Sequence, residues 1–298
     1  MFNFSPLSIG DKEKVDRYLQ LDGSIMSDRT FASLCMWGPQ FNLKYCIEND
    51  FLYLAIDKGN YFAYYMPLGV GSLTEPLQKI RLDAKERGIS HSIVLITKER
   101  LSEIKNILAD DYEISPTPNR NDYIYLSEKM ISLGGKKLHS KRNFVNRFKK
   151  DFEGRWEYRD LDPINDRAEI TDLLLKWGVR KEQDNYKESY EYGAVSVALD
   201  HYDELGMRGG CILLDGRIIA FTLAAPQNDE VMDILIEKAD YDIRGSYQMI
   251  NREFALHNCK EYKYINREED MGIEGLRKAK LSYHPAFLTE KYVADFKG

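Results

Sequence analysis

The densest group of polar residues in the chain lies at 266–272, directly after an apolar segment that predicts a strand. Such a run is usually a solvated loop, but a basic segment that ends in Tyr283 follows it closely. Arg and Lys side chains in such a place could hold an anion through charge-assisted hydrogen bonds. The candidate anion ligands are Arg267, Arg277 and Lys280, and the candidate catalytic residues are Tyr283 and Asp270, the latter as an amine clamp.

Glu237 is a further candidate catalytic residue. It lies near the end of a predicted strand at 231–238, four residues after Asp233. Strand alternation predicts that both carboxylates face the same side, where partial burial would let each raise the pKa of the other. A carboxylate with a raised pKa can accept the proton of an attacking amine or hydroxyl. The pattern fits two charges on a solvated strand face equally well.

A glycine-led turn follows the predicted strand that carries Glu237. Backbone N–H groups at the start of a helix can bind a pyrophosphate when a glycine lets the chain approach closely. A glycine that serves only the turn would give the same pattern. The candidate donor-binding residues of this loop are Arg244, Gly245, Ser246 and Tyr247.

A local basic segment covers residues 136–150. The whole chain has 42 Lys and Arg against 48 Asp and Glu, and this net charge of -6 argues against a generally cationic nucleic-acid or membrane binder. An anion site must therefore be local, and we expect Lys141, Arg142 and Arg147 to contact phosphate. A basic helix that only solvates one face remains the alternative. The basic residues of this segment are Lys136, Lys137, Lys141, Arg142, Arg147, Lys149 and Lys150.

Composition limits the class of protein. The 298 residues are 43% hydrophobic and 12% aromatic, which is typical of a globular chain long enough for two domains. No apolar stretch approaches the roughly 18 residues that a membrane span requires, and the first residues lack a secretory signal pattern. The 4 cysteines and 5 histidines are scattered, so we expect no disulfide framework and no metal site. These features predict a cytoplasmic protein.

The elements that must position the candidate residues form two successive units, 1–130 and 131–298. Hydrophobic periodicity predicts the order of elements in each. The first unit has predicted helices at 11–21, 73–87 and 101–108 and predicted strands at 41–47, 51–56, 61–66, 92–96 and 122–126. The second has predicted helices at 136–151, 168–180 and 191–202 and after Gly245, and predicted strands at 210–214, 217–224, 231–238 and 262–265. The fold class is therefore α/β (α+β), with a similar order of elements in both halves.

The C-terminal segment resembles a known family. Between residues 275 and 292, a Lys, an aromatic residue, a Pro and a closing basic-Tyr pair are similar to the signature of the phosphatidylglycerol lysyltransferase catalytic domain and, more distantly, of Fem-type aminoacyltransferases. Three further segments, at 30–37, 66–69 and 141–149, resemble soluble stand-alone members of that family. The signature positions are Lys280, Tyr283, Pro285, Lys291 and Tyr292.

The resemblance implies a fold and an activity. The fold would be two tandem GNAT-like (acyl-CoA N-acyltransferase) domains, each a mixed, mostly antiparallel sheet flanked by helices. The activity would be transfer of an acyl or aminoacyl group to an amine or hydroxyl of a small molecule, peptide or lipid headgroup. Aminoacyl-tRNA is the donor implied by the closer family and acyl-CoA the donor implied by the fold, each as a co-substrate with no permanently bound cofactor. The alternative is a catalytically inactive GNAT-like ligand-binding module.

Overall fold

The computed structural model describes residues 1–21, 23–59, 61–180 and 185–298. The strands are β1 (Ser5–Pro6), β2 (Lys44–Glu48), β3 (Phe51–Asp57), β4 (Phe62–Tyr65), β5 (Leu68–Gly69), β6 (Ser92–Thr97), β7 (Tyr112–Pro116), β8 (Tyr123–Leu126), β9 (Trp156–Asp160), β10 (Arg208–Leu214), β11 (Arg217–Pro226), β12 (Val231–Ala239), β13 (Tyr264–Asn266), β14 (Phe287–Leu288) and β15 (Lys291–Phe296). The α-helices are α1 (Lys12–Leu21), α2 (Phe31–Trp37), α3 (Thr74–Arg87), α4 (Leu101–Leu108), α5 (Ser127–Ser132), α6 (His139–Asp151), α7 (Arg167–Arg180), α8 (Asn185–Asp200), α9 (Ser246–Asn258) and α10 (Glu274–Leu281).

The chain divides into two compact units, one formed by 1–121 with 289–298 and the other by 122–288. The division expected from the sequence, at 130/131, differs from this one at both ends of the second unit. Strand β8 pairs with β13 and β14 of the second sheet instead of closing the first, and β15 pairs with β6 and β7 of the first sheet. Hydrophobic pattern predicts a strand but not the partner that supplies its backbone hydrogen bonds, which explains the difference.

The first unit is built on an eight-stranded sheet in the order β1-β2-β3-β4-β6-β15-β7, with β5 paired to β3. Only β4 and β6 run parallel among the pairs recorded for this sheet in the described residues. Its core packs helices α3 and α4 through Leu77, Ile80 and Ile104 against Tyr64 and Ile93 of the strands. The sheet is therefore mixed and mostly antiparallel, as expected.

The second unit is built on a seven-stranded sheet in the order β14-β8-β13-β12-β11-β10-β9. Helices cover both of its faces. On β12, Glu237 contacts Asn251 of α9, whereas the adjacent Lys238 forms a 2.8 Å ion pair with Glu191 of α8. Since successive side chains of a strand point to opposite faces, α9 and α8 lie on opposite sides of the sheet.

A β-bulge interrupts β12 in the middle. Leu223 of β11 lies opposite Ile236, and the next residue, Ala224, lies opposite Ile234, so Leu235 has no residue opposite it. An extra residue of this kind shifts the alternation of side chains along the strand.

The bulge separates two carboxylates that the sequence placed together. Glu237 lies opposite Thr222 and Asp233 lies opposite Ala225, three positions apart on β11. These two carboxylates therefore face opposite sides of the sheet, and the expected shared face is wrong. The reason is that simple alternation assumes an unbroken strand.

Two local expectations for the second unit are confirmed. Strands β10 and β11 form a hairpin whose turn, Asp215-Gly216, has φ values of 51° and 79°, as a type I′ turn requires. Helix α9 begins at Ser246, directly after Gly245. In the described part of the chain, no helix has the length and apolar character needed to cross a membrane.

Candidate active site

The candidate site lies where β12 and β13 separate. The two strands run parallel and pair only from Val231 to Asp233 with Tyr264 to Asn266. Strand β12 then continues to Ala239, whereas β13 ends at Asn266 and the chain turns away. The second half of β12 therefore faces the polar segment 267–272, which brings Glu237 and Arg267 together.

A buried ion pair joins these two residues. The Arg267 guanidinium donates to Glu237 Oε1 at 2.8 Å, and the two side chains are only 15% and 8% exposed. Asn251 Nδ2 also donates to both Glu237 oxygens, at 3.2 and 3.4 Å. Burial opposes the charge of Arg267, but the attraction of Glu237, together with smaller contributions from neighbouring tyrosines, raises the guanidinium pKa above its ordinary value. These three contacts leave one of the roughly four lone-pair sites of the carboxylate unused.

Tyr283 lies beside this ion pair with its side chain almost fully buried, at 7% exposure. The Lys141 ammonium is 4.4 Å and the Arg267 guanidinium carbon 5.2 Å from the centre of its ring. Burial raises the pKa of the Tyr283 hydroxyl well above its ordinary value, so the hydroxyl stays protonated. Burial, and then repulsion from Arg267, lower the pKa of Lys141. The structure thus brings Arg267, Tyr283 and Lys141 together with Glu237, and all four are predicted site residues.

Lys280 supports the segment that carries Arg267. Its ammonium donates to the carbonyl oxygens of Arg267 and Glu269 at 2.5 Å each, and to that of Glu268 at 3.1 Å. A lysine has three N–H donors, and all of them are used here. The predicted role of Lys280 as a ligand for an anion is therefore not supported by its contacts, which are those of a residue that positions a loop.

Asp270 is likewise enclosed by hydrogen-bond donors. Arg277 donates to its carboxylate at 2.7 and 2.9 Å, the Tyr123 hydroxyl at 2.6 Å and the Gly272 N–H at 2.8 Å. The hydrogen bonds from Arg277, more than those from Tyr123 and Gly272, hold the pKa of Asp270 far below its ordinary value despite its burial. These contacts leave Asp270 and Arg277 paired with each other, so neither is placed to clamp an amine or hold an anion as predicted.

The predicted donor loop is packed closely against α6. Gly245 has a φ of 92°, and a Cβ added there would lie 3.2 Å from the Phe144 carbonyl oxygen and 3.3 Å from Phe148 Cβ. The Ser246 N–H and Oγ already donate to the carbonyls of Ile243 and Asp240. The turn and the close approach of α6 are therefore sufficient to explain a glycine at this position, and no bound ligand is needed to explain it.

The other two residues of that loop point in different directions. Arg244 is exposed, with its guanidinium carbon 5.2 Å from the centre of the Phe144 ring. Tyr247 is partly buried and packs edge-on against Trp177, with ring centres 5.9 Å apart. Arg244 is thus the member of this loop whose side chain is most open to a ligand.

The basic segment does not form one cationic face. Helix α6 begins only at His139, and Arg147 and Lys149 are paired with Asp151 and Glu253 at 3.2 and 2.7 Å. Arg142 donates to the Leu133 carbonyl at 2.6 Å and lines an open cavity of about 400 Å³ with Gly135, Lys136 and His139. Of the three predicted phosphate contacts, Lys141 alone lies at the Tyr283 ring.

Comparison with known proteins identifies the family. The model of the family described as "Phosphatidylglycerol lysyltransferase, C-terminal" matches residues 23–295. The chain belongs to this family. The resemblance drawn from the C-terminal signature is thereby confirmed.

Solved structures similar to this member of the phosphatidylglycerol lysyltransferase C-terminal family include a conserved protein of unknown function from Bacteroides thetaiotaomicron, 35% identical with a TM-score of 0.92 over 100% of both chains. The C-terminal domain of a lysylphosphatidylglycerol synthetase candidate from Agrobacterium fabrum is 14% identical, with a TM-score of 0.68 over 98% of this chain and 93% of that one. A tandem GNAT protein from the clavulanic acid biosynthesis pathway is 11% identical, with a TM-score of 0.54 over 99% and 98%. The likeness to the tandem GNAT protein confirms the GNAT-like fold.

The signature residues of the family lie in both units. Lys280 and Tyr283 belong to the second unit and contact the site as described above. Lys291 belongs to the first unit, where its buried ammonium donates to Asp28 Oδ2 at 2.5 Å. In this chain the signature therefore includes residues that stabilise the fold as well as residues at the site.

Sequence reasoning missed two polar residues near the site, Asn251 and Asp122, and assigned a third, Asp233, to the wrong face of the sheet. Asn251 lies on α9 and Glu237 on β12, with a loop between the two elements, so no regular spacing in the sequence connects them. On the opposite face of the sheet, Asp122 and Asp233 are fully buried, and burial, then the charge of Asp233, raises the pKa of Glu268 well above its ordinary value. Asp122 lies directly before the apolar strand β8, and this position was the signal available for it.

Proposed function

We propose that this protein transfers an aminoacyl group from aminoacyl-tRNA to an amine or hydroxyl acceptor. Membership of the phosphatidylglycerol lysyltransferase C-terminal family supports transfer of an activated acyl group, and the name of the family favours the aminoacyl-tRNA donor over acyl-CoA. The observation that carries the proposal is the buried Arg267–Glu237 pair beside the bulge of β12. Both candidate donors are made in the cytoplasm, where we place the reaction.

The reaction requires charge stabilisation at one carbonyl oxygen. When the acceptor attacks the ester carbon, negative charge develops on that oxygen and must be met by preorganised donors. We assign the Leu235 N–H as one such donor, because the extra residue of a β-bulge has no residue opposite it in the ladder. The N–H groups of Arg267 that Glu237 does not occupy are the other. Both lie on the part of the sheet where β12 and β13 separate.

Proton transfer is assigned to two further residues. The acceptor nitrogen or oxygen forms a bond to the carbonyl carbon and loses its proton to Glu237, which releases its longer hydrogen bonds from Asn251 at 3.2 and 3.4 Å. The bond from the carbonyl carbon to the ribose oxygen then breaks, and the Tyr283 hydroxyl donates a proton to that oxygen. The proton held by Glu237 then returns to the Tyr283 oxygen, which restores both residues. Tyr283 suits this step because burial keeps its hydroxyl protonated.

The test is a transfer assay with labelled lysyl-tRNA, using phosphatidylglycerol vesicles and a dipeptide amine as acceptors. We expect Glu237→Gln to lower turnover at least about 100-fold while tRNA binding persists, and Arg267→Gln to lower turnover on the same scale, which is that of a lost general base or oxyanion donor. Glu230→Gln is the matched control, since Glu230 is exposed just before β12. Undiminished turnover in both site variants would reject these roles.

Acyl-CoA is the second candidate donor, favoured by the likeness of the fold to a tandem GNAT protein. A donor that binds only the folded state raises the melting temperature by mass action. Melting curves with CoA, acetyl-CoA, charged tRNA and uncharged tRNA therefore separate the donors. A shift with CoA compounds alone would replace aminoacyl-tRNA by acyl-CoA. Binding of either donor with no transfer to any acceptor would favour the catalytically inactive ligand-binding module.

A further inference from the structure

Two cations converge on one buried ring in the second unit. Lys141 extends from α6 and Arg267 follows β13, and their cationic groups lie 4.4 and 5.2 Å from the centre of the Tyr283 ring. We propose that Lys141 and Arg267, which we call the Tyr283 cation pair, bind a phosphodiester monoanion of the donor. The proposal rests on the proposed function and deepens it by naming the chemical group that the site holds.

The charge balance of the site favours an anion. Glu237 is the carboxylate paired with Arg267, and among the described residues none forms an ion pair with Lys141. Two cations therefore face one carboxylate in a partly buried place, and burial, then the repulsion between the two cations, lowers the pKa of Lys141. A bound group of charge -1 neutralises the excess, whereas a dianion would leave a net negative charge beside Glu237.

The available donors favour a tetrahedral group. A lysine ammonium has three N–H donors and an arginine has five, of which Glu237 occupies one on Arg267 at 2.8 Å. The cation–π contact with Tyr283 does not consume the N–H groups of Lys141. Because the two cations come from different elements, a phosphate with oxygens in several directions meets both of them more readily than a planar carboxylate does.

Glu237 competes with the ligand for Arg267. Removing its negative charge without changing its size would leave both cations for the anion, so Glu237→Gln should bind a phosphodiester more tightly than the natural protein. A residue that merely stabilised the fold would not produce a gain of affinity. This variant therefore gives a readout that is independent of transfer and of any loss of stability.

The test is calorimetric titration of the full chain with three probes: the trinucleotide CCA, CoA, and vesicles of phosphatidylglycerol. We expect Lys141→Gln to weaken binding of the trinucleotide at least about tenfold and to reduce the slope of log affinity against log salt by about 1. Lys150→Gln, an exposed change on the same helix, should alter neither. Lys141→Arg should retain most of the affinity.

The outcomes separate this inference from the proposed function. Equal binding by the natural protein and Lys141→Gln, or no gain of affinity in Glu237→Gln, would overturn the site. A Lys141-dependent affinity for CoA and not for CCA would keep the site and assign it to acyl-CoA as the donor. A Lys141-dependent affinity for phosphatidylglycerol vesicles alone would overturn the assignment to the donor. Lys141-dependent binding in a protein that transfers no acyl group from either donor would leave the site standing and reject the enzyme.

Discussion

The Lys280 ammonium lies 2.5 Å from the carbonyl oxygen of Arg267, the residue whose guanidinium pairs with Glu237. The buried Lys280 thus holds the backbone of Arg267 in place while the side chain of Arg267 extends to Glu237 on β12. Lys280 is itself fixed from the other side, because its own carbonyl accepts a hydrogen bond from Tyr125 at 2.8 Å. The precision of the site therefore depends on a residue that has no free donor for a ligand.

Replacing Lys280 by Met should destabilise the protein strongly. The change leaves the carbonyls of Arg267, Glu268 and Glu269 without their common donor, and we expect the free energy of unfolding to fall by about 3 kcal/mol. Urea unfolding followed by circular dichroism measures it. Lys278→Met on the same helix is the control, because Lys278 is exposed and its ion pair with Glu274 should contribute less than about 1 kcal/mol. Equal losses in the two variants would contradict the prediction.

Replacing Gly245 by Ala should also destabilise the second unit. Its φ of 92° disfavours any side chain, and the added Cβ would meet the Phe144 carbonyl oxygen and Phe148 within 3.3 Å. We expect a loss of about 1–3 kcal/mol in the free energy of unfolding. Gly275→Ala is the matched control: it lies in α10 with nothing within 4 Å of its added Cβ, and should gain about 0.5–1 kcal/mol. Melting temperatures that move in the same direction for both changes would refute this account.

Asp270 should make stability depend on pH in the acid range. Its pKa is lowered in the folded protein, so its ionised form stabilises the fold above the ordinary carboxyl pKa, and that contribution is lost as the pH falls below about 4. Asp270→Asn should lower the free energy of unfolding by about 1–3 kcal/mol at pH 7, since it removes the charged acceptor of the buried Tyr123 hydroxyl. The deficit relative to the natural protein should shrink at lower pH.

Urea unfolding at pH 7, 5 and 3.5 measures this dependence. Asp229→Asn, an exposed change in the turn before β12, should show a small and pH-independent effect. A deficit of Asp270→Asn that stays constant from pH 7 to pH 3.5 would mean that the carboxylate is not the stabilising group.

Local pattern was sufficient for much of the fold. Helix α4 was predicted with the bounds it has, Leu101–Leu108, and the Asp215-Gly216 turn fixed the hairpin of β10 and β11. Helical periodicity and the φ values that a turn demands are properties of neighbouring residues, so a single sequence reveals them. The pairing of β8 and β15 is a property of distant segments, and the predicted domain bounds therefore differ from the compact units.

The candidate site was predicted in part for the same reason. The sequence identified Arg267, Tyr283, Glu237 and Lys141 as separate candidates because each lies in a polar or basic segment next to an apolar element. The sequence does not reveal that Lys280 and Asp270 form their hydrogen bonds with other groups of the protein, because both also lie in a polar or basic segment next to an apolar element. Contacts across the sheet distinguish a residue that is open to a ligand from one that is already satisfied.

The sequence by itself determined the family, the GNAT-like fold and the segments from which the site is drawn, because these follow from motifs and periodicity along the chain. Only the tertiary structure decided the partners. The bulge at Leu235 moved Asp233 to the face opposite Glu237, and the separation of β12 from β13 placed Arg267 beside Glu237. A one-residue insertion in a strand ladder reverses the facing of the side chains beyond it, and its position depends on the pairing of two strands rather than on either strand alone.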